Sequence, residues 1–287
     1  MKTKRKALHH KKRANVTPLM KTYQNYFFDL DGVIYRGDER LPGAREFIEW
    51  IEATGRTYLY LSNNSMSTPA QVAARLQALD MPAPLERVVT AGSAAAAYLG
   101  HTHPGASAYV LGLPPLAQMV ADAGLHLLGE EDGARAQVVL VGLDRALTYA
   151  RLSIAVQAVL NGAAFVTVNR DPLLPVESKL EPGAGSIAAA IEASTGHSPY
   201  VVGKPEPGII LEALRLIGAK PTETVMIGDG VTLDIPAGHN AGLDTILLLS
   251  GITSRAQVAS AAIQPDAVYD DLAHLLAETA GDGVTPH

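Results

Sequence analysis

The sequence contains no cysteine, and this absence excludes three kinds of site. Without thiols there can be no disulfide framework, no zinc site with cysteine ligands and no thiol nucleophile. Cysteine-dependent phosphatases and proteases are therefore excluded. Long apolar runs are also missing, because glycine, proline or charged residues interrupt them before they reach the roughly 20 residues that a membrane-spanning helix needs. These absences predict a soluble protein with no membrane partner.

Basic charge is concentrated at the N-terminus, where residues 1–21 carry eight Lys or Arg and no acid. The rest of the chain has 15 basic and 29 acidic residues, a charge of −14, which disfavours a nucleic-acid partner. The basic start is not followed by the apolar stretch of a signal peptide. We therefore expect a cytoplasmic protein in which residues 1–20 form a disordered basic extension. The sequence assigns no role to that extension.

Apolar, β-branched segments alternate with alanine-rich helical segments along the chain, which is the pattern of parallel βαβ units in an α/β protein. The 287 residues are enough for two domains. A polar break at 101–106 is followed by a restart of the pattern, which indicates a second α/β unit. The predicted strands lie at 26–30, 57–61 and 88–90, then at 108–111, 137–141 and 164–168, with 200–202, 224–227 and 245–249 completing the first unit.

Four polar clusters follow predicted strands. Each has an ordinary explanation by itself, such as a solvated turn, a helix cap or a surface lysine. Ligands of open α/β sheets bind at the carboxyl ends of the strands, so we expect the clusters to converge. Paired carboxylates suit a cation, and a lysine with hydrogen-bond donors suits a phosphoryl group. The clusters contain Asp29 and Asp31, Ser62 and Asn63, Lys204, and Asp229 and Asp234.

Two glycine-containing segments imitate nucleotide-binding motifs. Gly183-Ala184-Gly185 resembles a dinucleotide fingerprint, but we do not predict the strand that should precede it at 179–182. Gly203-Lys204 is followed by Pro205 rather than by Ser or Thr, so it is not a P-loop. We reject both motifs.

In order and spacing, the four clusters resemble the signature of the haloacid-dehalogenase-like hydrolases. The chain is most similar to the branch that contains NagD, 4-nitrophenylphosphatases, and phosphoglycolate and pyridoxal phosphatases. The narrower resemblance extends over 23–276 and includes Val141-Gly142-Leu143-Asp144 and Asn169-Arg170-Asp171. Leu233 and Val168 stand where that family often has Thr, which affects local hydrogen bonding.

The resemblance implies a Rossmann-like three-layer core with a parallel sheet and a large inserted α/β cap. We place the core at 21–102 and 197–287 and the cap, which would set substrate specificity, at 103–196. The implied function is Mg²⁺-dependent hydrolysis of small phosphorylated metabolites through an aspartyl phosphate. The alternatives are a non-catalytic phosphate- or metal-binding module and a phosphoryl transferase. The sequence decides neither the substrate nor the oligomeric state, for which a homodimer is one option.

The resemblance also implies a role for each site residue. Asp29 is the nucleophile, and Asp31 is the general acid and base. Mg²⁺ is held by the Asp29 carboxylate, the Asp31 carbonyl and Asp229. The remaining roles are phosphate binding by Ser62 and Asn63, charge neutralisation by Lys204, support by Asp234, and cap contacts to substrate by Asn169, Arg170 and Asp171, with Tyr149 as a weaker candidate. For Arg170, an ordinary surface charge is an equal alternative.

Overall fold

The computed structural model describes residues 23–176 and 179–280, so the predicted basic extension lies outside the described residues. The strands are β1 (Asn25–Phe28), β2 (Tyr35–Arg36), β3 (Glu39–Arg40), β4 (Thr57–Ser62), β5 (Val88–Thr90), β6 (Ser107–Leu111), β7 (His126–Leu127), β8 (Val138–Val141), β9 (Ala164–Thr167), β10 (Leu173–Val176), β11 (Lys179–Pro182), β12 (Tyr200–Val201), β13 (Thr224–Gly228), β14 (Asp244–Leu248) and β15 (Ala267–Tyr269).

The helices alternate with these strands. They are α1 (Ala44–Ala53), α2 (Pro69–Ala78), α3 (Ala91–Thr102), α4 (Pro114–Asp122), α5 (Tyr149–Leu160), α6 (Ala184–Thr195), α7 (Gly208–Ile217), α8 (Asp234–Asn240), α9 (Arg255–Ser260) and α10 (Leu272–Ala280). Within the described part of the chain, no helix is long and apolar enough to cross a membrane.

The first sheet has six parallel strands in the order β15-β14-β13-β1-β4-β5. Successive side chains of a strand point to opposite faces, so Tyr26 and Phe28 of β1 pack on one face and Phe27 on the other. The first face is covered by α1, α2 and α10, and the second by α3, α7 and α8. This is the three-layer α/β arrangement that the sequence predicts, and it confirms the predicted fold class.

The second sheet has five parallel strands in the order β12-β9-β8-β6-β7. Helices α5 and α6 cover one face, where Val139 and Phe165 are buried. On the other face Leu140 and Val166 join α3 and α4 in the same apolar cluster that reaches Phe27 of the first sheet. The two sheets therefore share one hydrophobic cluster.

Two strand predictions were wrong. The segment predicted at 200–202 does not complete the first unit, because β12 pairs with β9 of the second sheet. Only two residues form this strand, and so short a segment carries no signal for its neighbour. The segment 179–182, predicted not to be a strand, is β11 and pairs antiparallel with β10. This hairpin is not a βαβ unit, so the dinucleotide fingerprint still lacks its structural context.

Candidate active site

Asp29 is the first residue after β1, and its N–H donates to the Ile227 carbonyl at 2.9 Å, which extends the ladder by one bond. Its Oδ1 lies 2.7 Å from Lys204 Nζ. Burial raises the pKa of the Asp29 carboxyl, whereas Lys204 acts in the opposite direction. The candidate nucleophile is therefore a largely buried carboxylate held by one ammonium group.

Lys204 lies between two carboxylates. Its Nζ is 2.7 Å from Asp29 and 2.7 Å from Asp234, and both Lys204 and Asp234 are buried. Burial alone would lower the pKa of Lys204, but Asp234 and Asp29 outweigh burial and raise it. The lysine is therefore charged. Asp234 also accepts the Gly230 N–H at 2.8 Å, so its orientation is fixed from both sides.

Asp229 follows β13 and accepts hydrogen bonds from two residues of the segment after β14. Its Oδ2 accepts the Ile252 N–H at 2.8 Å, and its carbonyl accepts the Thr253 hydroxyl at 2.5 Å. Burial raises its pKa to about 6. Sequence reasoning missed the segment that includes Ile252 and Thr253, because only the fold brings it to Asp229.

The carboxylates of Asp29, Asp229 and Asp234 offer oxygen atoms that all lie within 4.8 Å of one another. Among the described residues, Lys204 is the one cation in ion-pair contact with this group, through Asp29 and Asp234, so a bound cation would relieve the excess negative charge. Hard divalent cations such as Mg²⁺ prefer oxygen ligands. The residues therefore fit a magnesium ion. Asp229 and Asp29 were predicted as ligands, whereas Asp234 was predicted only as a supporting residue.

The Asp31 carboxyl lies outside this group of three acids in the described chain. Burial raises its pKa and Arg75 acts against that shift. The Arg75 guanidinium lies 4.5 Å from the centroid of the Tyr35 ring, and the pKa of Tyr35 is raised to about 12 mainly by burial and also by Asp31 and Asp29. The charges of both aspartates thus contribute to the raised pKa of one tyrosine. Arg75 is a charged neighbour that sequence reasoning missed.

Ser62 ends β4, and its Oγ accepts the Asn64 N–H at 3.2 Å. The next residue, Asn63, uses its side chain on the backbone of Lys204: Nδ2 donates to the Lys204 carbonyl at 2.9 Å, and Oδ1 accepts the Lys204 N–H at 2.8 Å. The structure therefore brings the second and third predicted clusters together. The contact is made by the carboxamide of Asn63, whereas its backbone amide is the group predicted to bind phosphate.

The three consecutive cap candidates have different surroundings. Buried Asn169 donates from Nδ2 to the Asn63 carbonyl at 3.1 Å. Asp171 lines a cavity together with Asn63; burial raises the pKa of its carboxyl, and Lys204 and the Asn63 amide partly offset that rise. Arg170 instead forms an ion pair with Glu192 at 2.9 Å on the surface. Tyr149 is 87% exposed at the start of α5.

A cavity of about 230 Å³ lies between the Asn63 loop and the loop and hairpin that follow β9. Asn63, Asn169 and Asp171 line its polar part. Its apolar part is formed by Leu143, Leu173 and Leu174. The cavity can hold a small organic group, and Asn63, whose side chain binds the main chain of Lys204, connects it to the acidic group.

The geometry agrees with the comparisons to known proteins. A family model described as haloacid dehalogenase-like hydrolase matches residues 26–126, and one described as HAD-hydrolase-like matches residues 201–275. The acid sugar phosphatase of Staphylococcus aureus is 39% identical over 259 residues, which cover 90% of this chain and 99% of that protein. The 5′-nucleotidase YutF of Bacillus subtilis is 40% identical over 253 residues, 88% of this chain and 97% of that protein. The solved structure of NagD from E. coli superposes with a TM-score of 0.81 at 33% identity, covering 88% of this chain and 98% of that chain.

Proposed function

The chain belongs to the haloacid dehalogenase-like hydrolases and is a phosphatase of that family, and from this premise we propose how it works. It hydrolyses small phosphomonoesters through an aspartyl phosphate on Asp29, with Mg²⁺ as the cofactor. The observation that carries the proposal is the position of Lys204, whose Nζ lies 2.7 Å from the carboxylates of Asp29 and Asp234. These two carboxylates form one acidic group with Asp229.

The reaction takes place in two displacements at phosphorus. The Asp29 carboxylate attacks phosphorus, and the bond from phosphorus to the leaving alcohol breaks while Asp31 gives that oxygen a proton. Asp31 then takes a proton from water, the water oxygen attacks phosphorus, and the bond to Asp29 breaks to release phosphate. After the first displacement, Asp31 has lost its proton and can act as the base. After the second, Asp29 is a free carboxylate and Asp31 carries a proton again.

Charge control accompanies both displacements. Lys204 neutralises negative charge on the phosphoryl oxygens, and Ser62 with the Asn63 backbone amide donates hydrogen bonds to them. Mg²⁺ would be held by the carboxylates of Asp29 and Asp229 and by the Asp31 carbonyl, and when bound it supplies positive charge that offsets the repulsion between carboxylate and phosphate. Asp234 holds Lys204 in place.

The cavity favours one class of leaving group. Two relatives of the chain are named acid sugar phosphatase and 5′-nucleotidase. No aromatic side chain lines the cavity among the described residues, whereas bases commonly stack on aromatic rings. Asp171 can accept hydrogen bonds from hydroxyl groups. We propose that sugar and polyol phosphates are preferred over nucleotides.

The experiment compares the wild type with Asp29→Asn, using 4-nitrophenyl phosphate and a panel of phosphorylated metabolites with Mg²⁺. We expect Asp29→Asn to lower kcat by roughly 10³-fold or more, and chelation of the metal to stop turnover until Mg²⁺ is restored. Asp132→Asn, which changes an exposed ion pair with Arg135, is the matched control.

Three outcomes would contradict the proposal. Wild-type activity in Asp29→Asn would exclude a covalent intermediate on Asp29. Full activity of the enzyme after chelation would exclude a metal requirement. Turnover that requires an alcohol acceptor and releases little free phosphate would identify a phosphoryl transferase instead.

A further inference from the structure

Asn63 occupies an unusual position between three segments of the site. Its carboxamide pairs with both main-chain polar groups of Lys204, at 2.9 Å and 2.8 Å. The carboxamide thus makes with Lys204 the two main-chain hydrogen bonds that a residue of a neighbouring β-strand would make. Because both bonds must be satisfied together, the carboxamide fixes the orientation of that peptide as well as its distance.

The same residue reaches the loop after β9. The Asn63 carbonyl accepts the Asn169 side-chain amide at 3.1 Å, and Asn169 Oδ1 accepts the Asp171 N–H at 3.2 Å. The Asn63 amide also acts on the Asp171 carboxylate. A continuous set of hydrogen bonds therefore connects the candidate specificity loop to the main chain of Lys204.

We propose that Asn63 is a positioning residue for Lys204, and that Asn169 is the second link, which holds Asn63 in place from the loop after β9. The proposal rests on the proposed role of Lys204 in neutralising phosphoryl charge. It differs from direct phosphate binding, because the carboxamide of Asn63 is already engaged by protein groups. It also differs from direct substrate contact by Asn169, whose Nδ2 and Oδ1 both have protein partners.

The lysine needs this support because its side chain is a flexible four-carbon stem. Two carboxylates hold its tip, and Asn63 holds its base. Packing at the preceding residue agrees with a fixed base: a Cβ at Gly203 would lie 2.8 Å from Asn63 Oδ1 and 2.6 Å from the Val168 carbonyl. Displacement of a catalytic group by about 1 Å can cost about 10²-fold in rate.

A double-mutant cycle tests the proposal with the full chain and Mg²⁺. It compares wild type, Asn63→Ala, Lys204→Ala and the double variant. Its readouts are kcat for 4-nitrophenyl phosphate and the affinity for inorganic phosphate by calorimetry, which does not require turnover. We expect Asn63→Ala to lower kcat by about 10²-fold in the wild type and by less than about twofold in the Lys204→Ala background, because the two residues act as one unit.

Additive effects of the two substitutions on kcat and on phosphate affinity would overturn the proposal and make Asn63 an independent contributor. Asn161→Ala, which removes a surface hydrogen bond from the side-chain amide to the Ala134 carbonyl, is the control and should leave both readouts unchanged. If Asn63→Ala does not fold, Asn63→Asp takes its place, since it keeps the acceptor for Lys204 N–H and loses the donor. The proposed function fails separately, through an active Asp29→Asn variant.

Discussion

The carboxylate of Asp229 is surrounded closely by backbone, including the Ile252 N–H that it accepts. A Cβ at Gly32 or at Gly251 would collide with its carboxylate, and Gly32 also has a φ of +76° that favours glycine. The two glycines therefore let the loops after β1 and β14 approach the candidate metal ligand. Mutating Gly251 tests this packing without changing any charge.

We expect Gly251→Ala to displace Asp229 and to raise the Mg²⁺ concentration needed for half-maximal activity by about 10-fold or more, since orienting contacts of metal ligands typically contribute 10- to 100-fold. Magnesium titration of phosphatase activity measures this effect. Gly129→Ala is the matched control, because a Cβ there meets nothing within 4 Å. An unchanged magnesium requirement in Gly251→Ala would contradict the importance of this packing.

At the residue scale, the sequence identifies side chains whose position follows from the strand before them. Asp29, Ser62 and Asp229 stand at or directly after the carboxyl ends of parallel strands, and the topology brings those ends together. The surface ion pair of Arg170 and the contacts of Ile252 could not be predicted in this way. Both depend on partners 22 or 23 positions away in the chain, which no local pattern specifies.

Helix α2 begins at a complete capping box. The Thr68 hydroxyl accepts the Gln71 N–H at 3.2 Å, and the Gln71 side chain accepts the Thr68 N–H at 2.9 Å. The helix carries Arg75, which packs over the Tyr35 ring and whose charge opposes the rise in the pKa of Asp31. The cap therefore stabilises a helix that carries a charged neighbour of Asp31, the proposed general acid.

We expect Thr68→Ala to lower the free energy of unfolding by about 1 kcal/mol, the usual effect of losing an N-cap, because one first-turn N–H loses its partner. Urea unfolding followed by circular dichroism measures the change. Thr68→Ser keeps the hydroxyl and should stay close to the wild type. Equal stability of the Ala and Ser variants would show that the hydroxyl contributes nothing.

Among the described residues that line the cavity, the single carboxylate is that of Asp171, in the loop after β9. If this carboxylate accepts hydrogen bonds from substrate hydroxyls, Asp171→Asn should lower kcat/KM for a sugar phosphate by about 10-fold, which corresponds to one hydrogen bond to a charged group. 4-Nitrophenyl phosphate has no hydroxyl on its leaving group and should lose less than about twofold. Equal losses with both substrates would assign Asp171 to general positioning instead.

At the element scale, the sequence predicts helices at 44–53 and 208–217 from their alternation with apolar strands, and α1 and α7 have these bounds. The short pairs β2–β3 and β10–β11 were not predicted, because two to four residues carry little periodicity. The sequence also predicts a helix after Pro236, whereas α8 begins two residues earlier, at Asp234. Proline fits there because amides of the first helical turn need no partner within the helix.

The whole molecule is organised around the apolar cluster that the two sheets share. Phe27 and Leu61 of the first sheet and Leu140 and Val166 of the second belong to it. The division into a core at 21–102 and 197–287 and a cap at 103–196 remains a prediction, and the placement of β12 in the second sheet bears on its second boundary. Sequence periodicity could not foresee the shared cluster, because it identifies buried faces without showing which face packs on which.

The shared cluster predicts that both sheets unfold in one transition. Trp50, the single tryptophan, packs beside the first sheet, so its fluorescence reports that sheet, whereas circular dichroism reports the whole chain. We expect the two urea curves to coincide. Leu140→Ala, in the second sheet, should lower the free energy of unfolding measured by both probes by about 2–5 kcal/mol. Leu180→Ala, at an exposed position, should change neither value. A Leu140→Ala curve in which Trp50 keeps its wild-type midpoint would mean that the sheets unfold independently, because the fluorescence then reports a unit that does not sense the cavity.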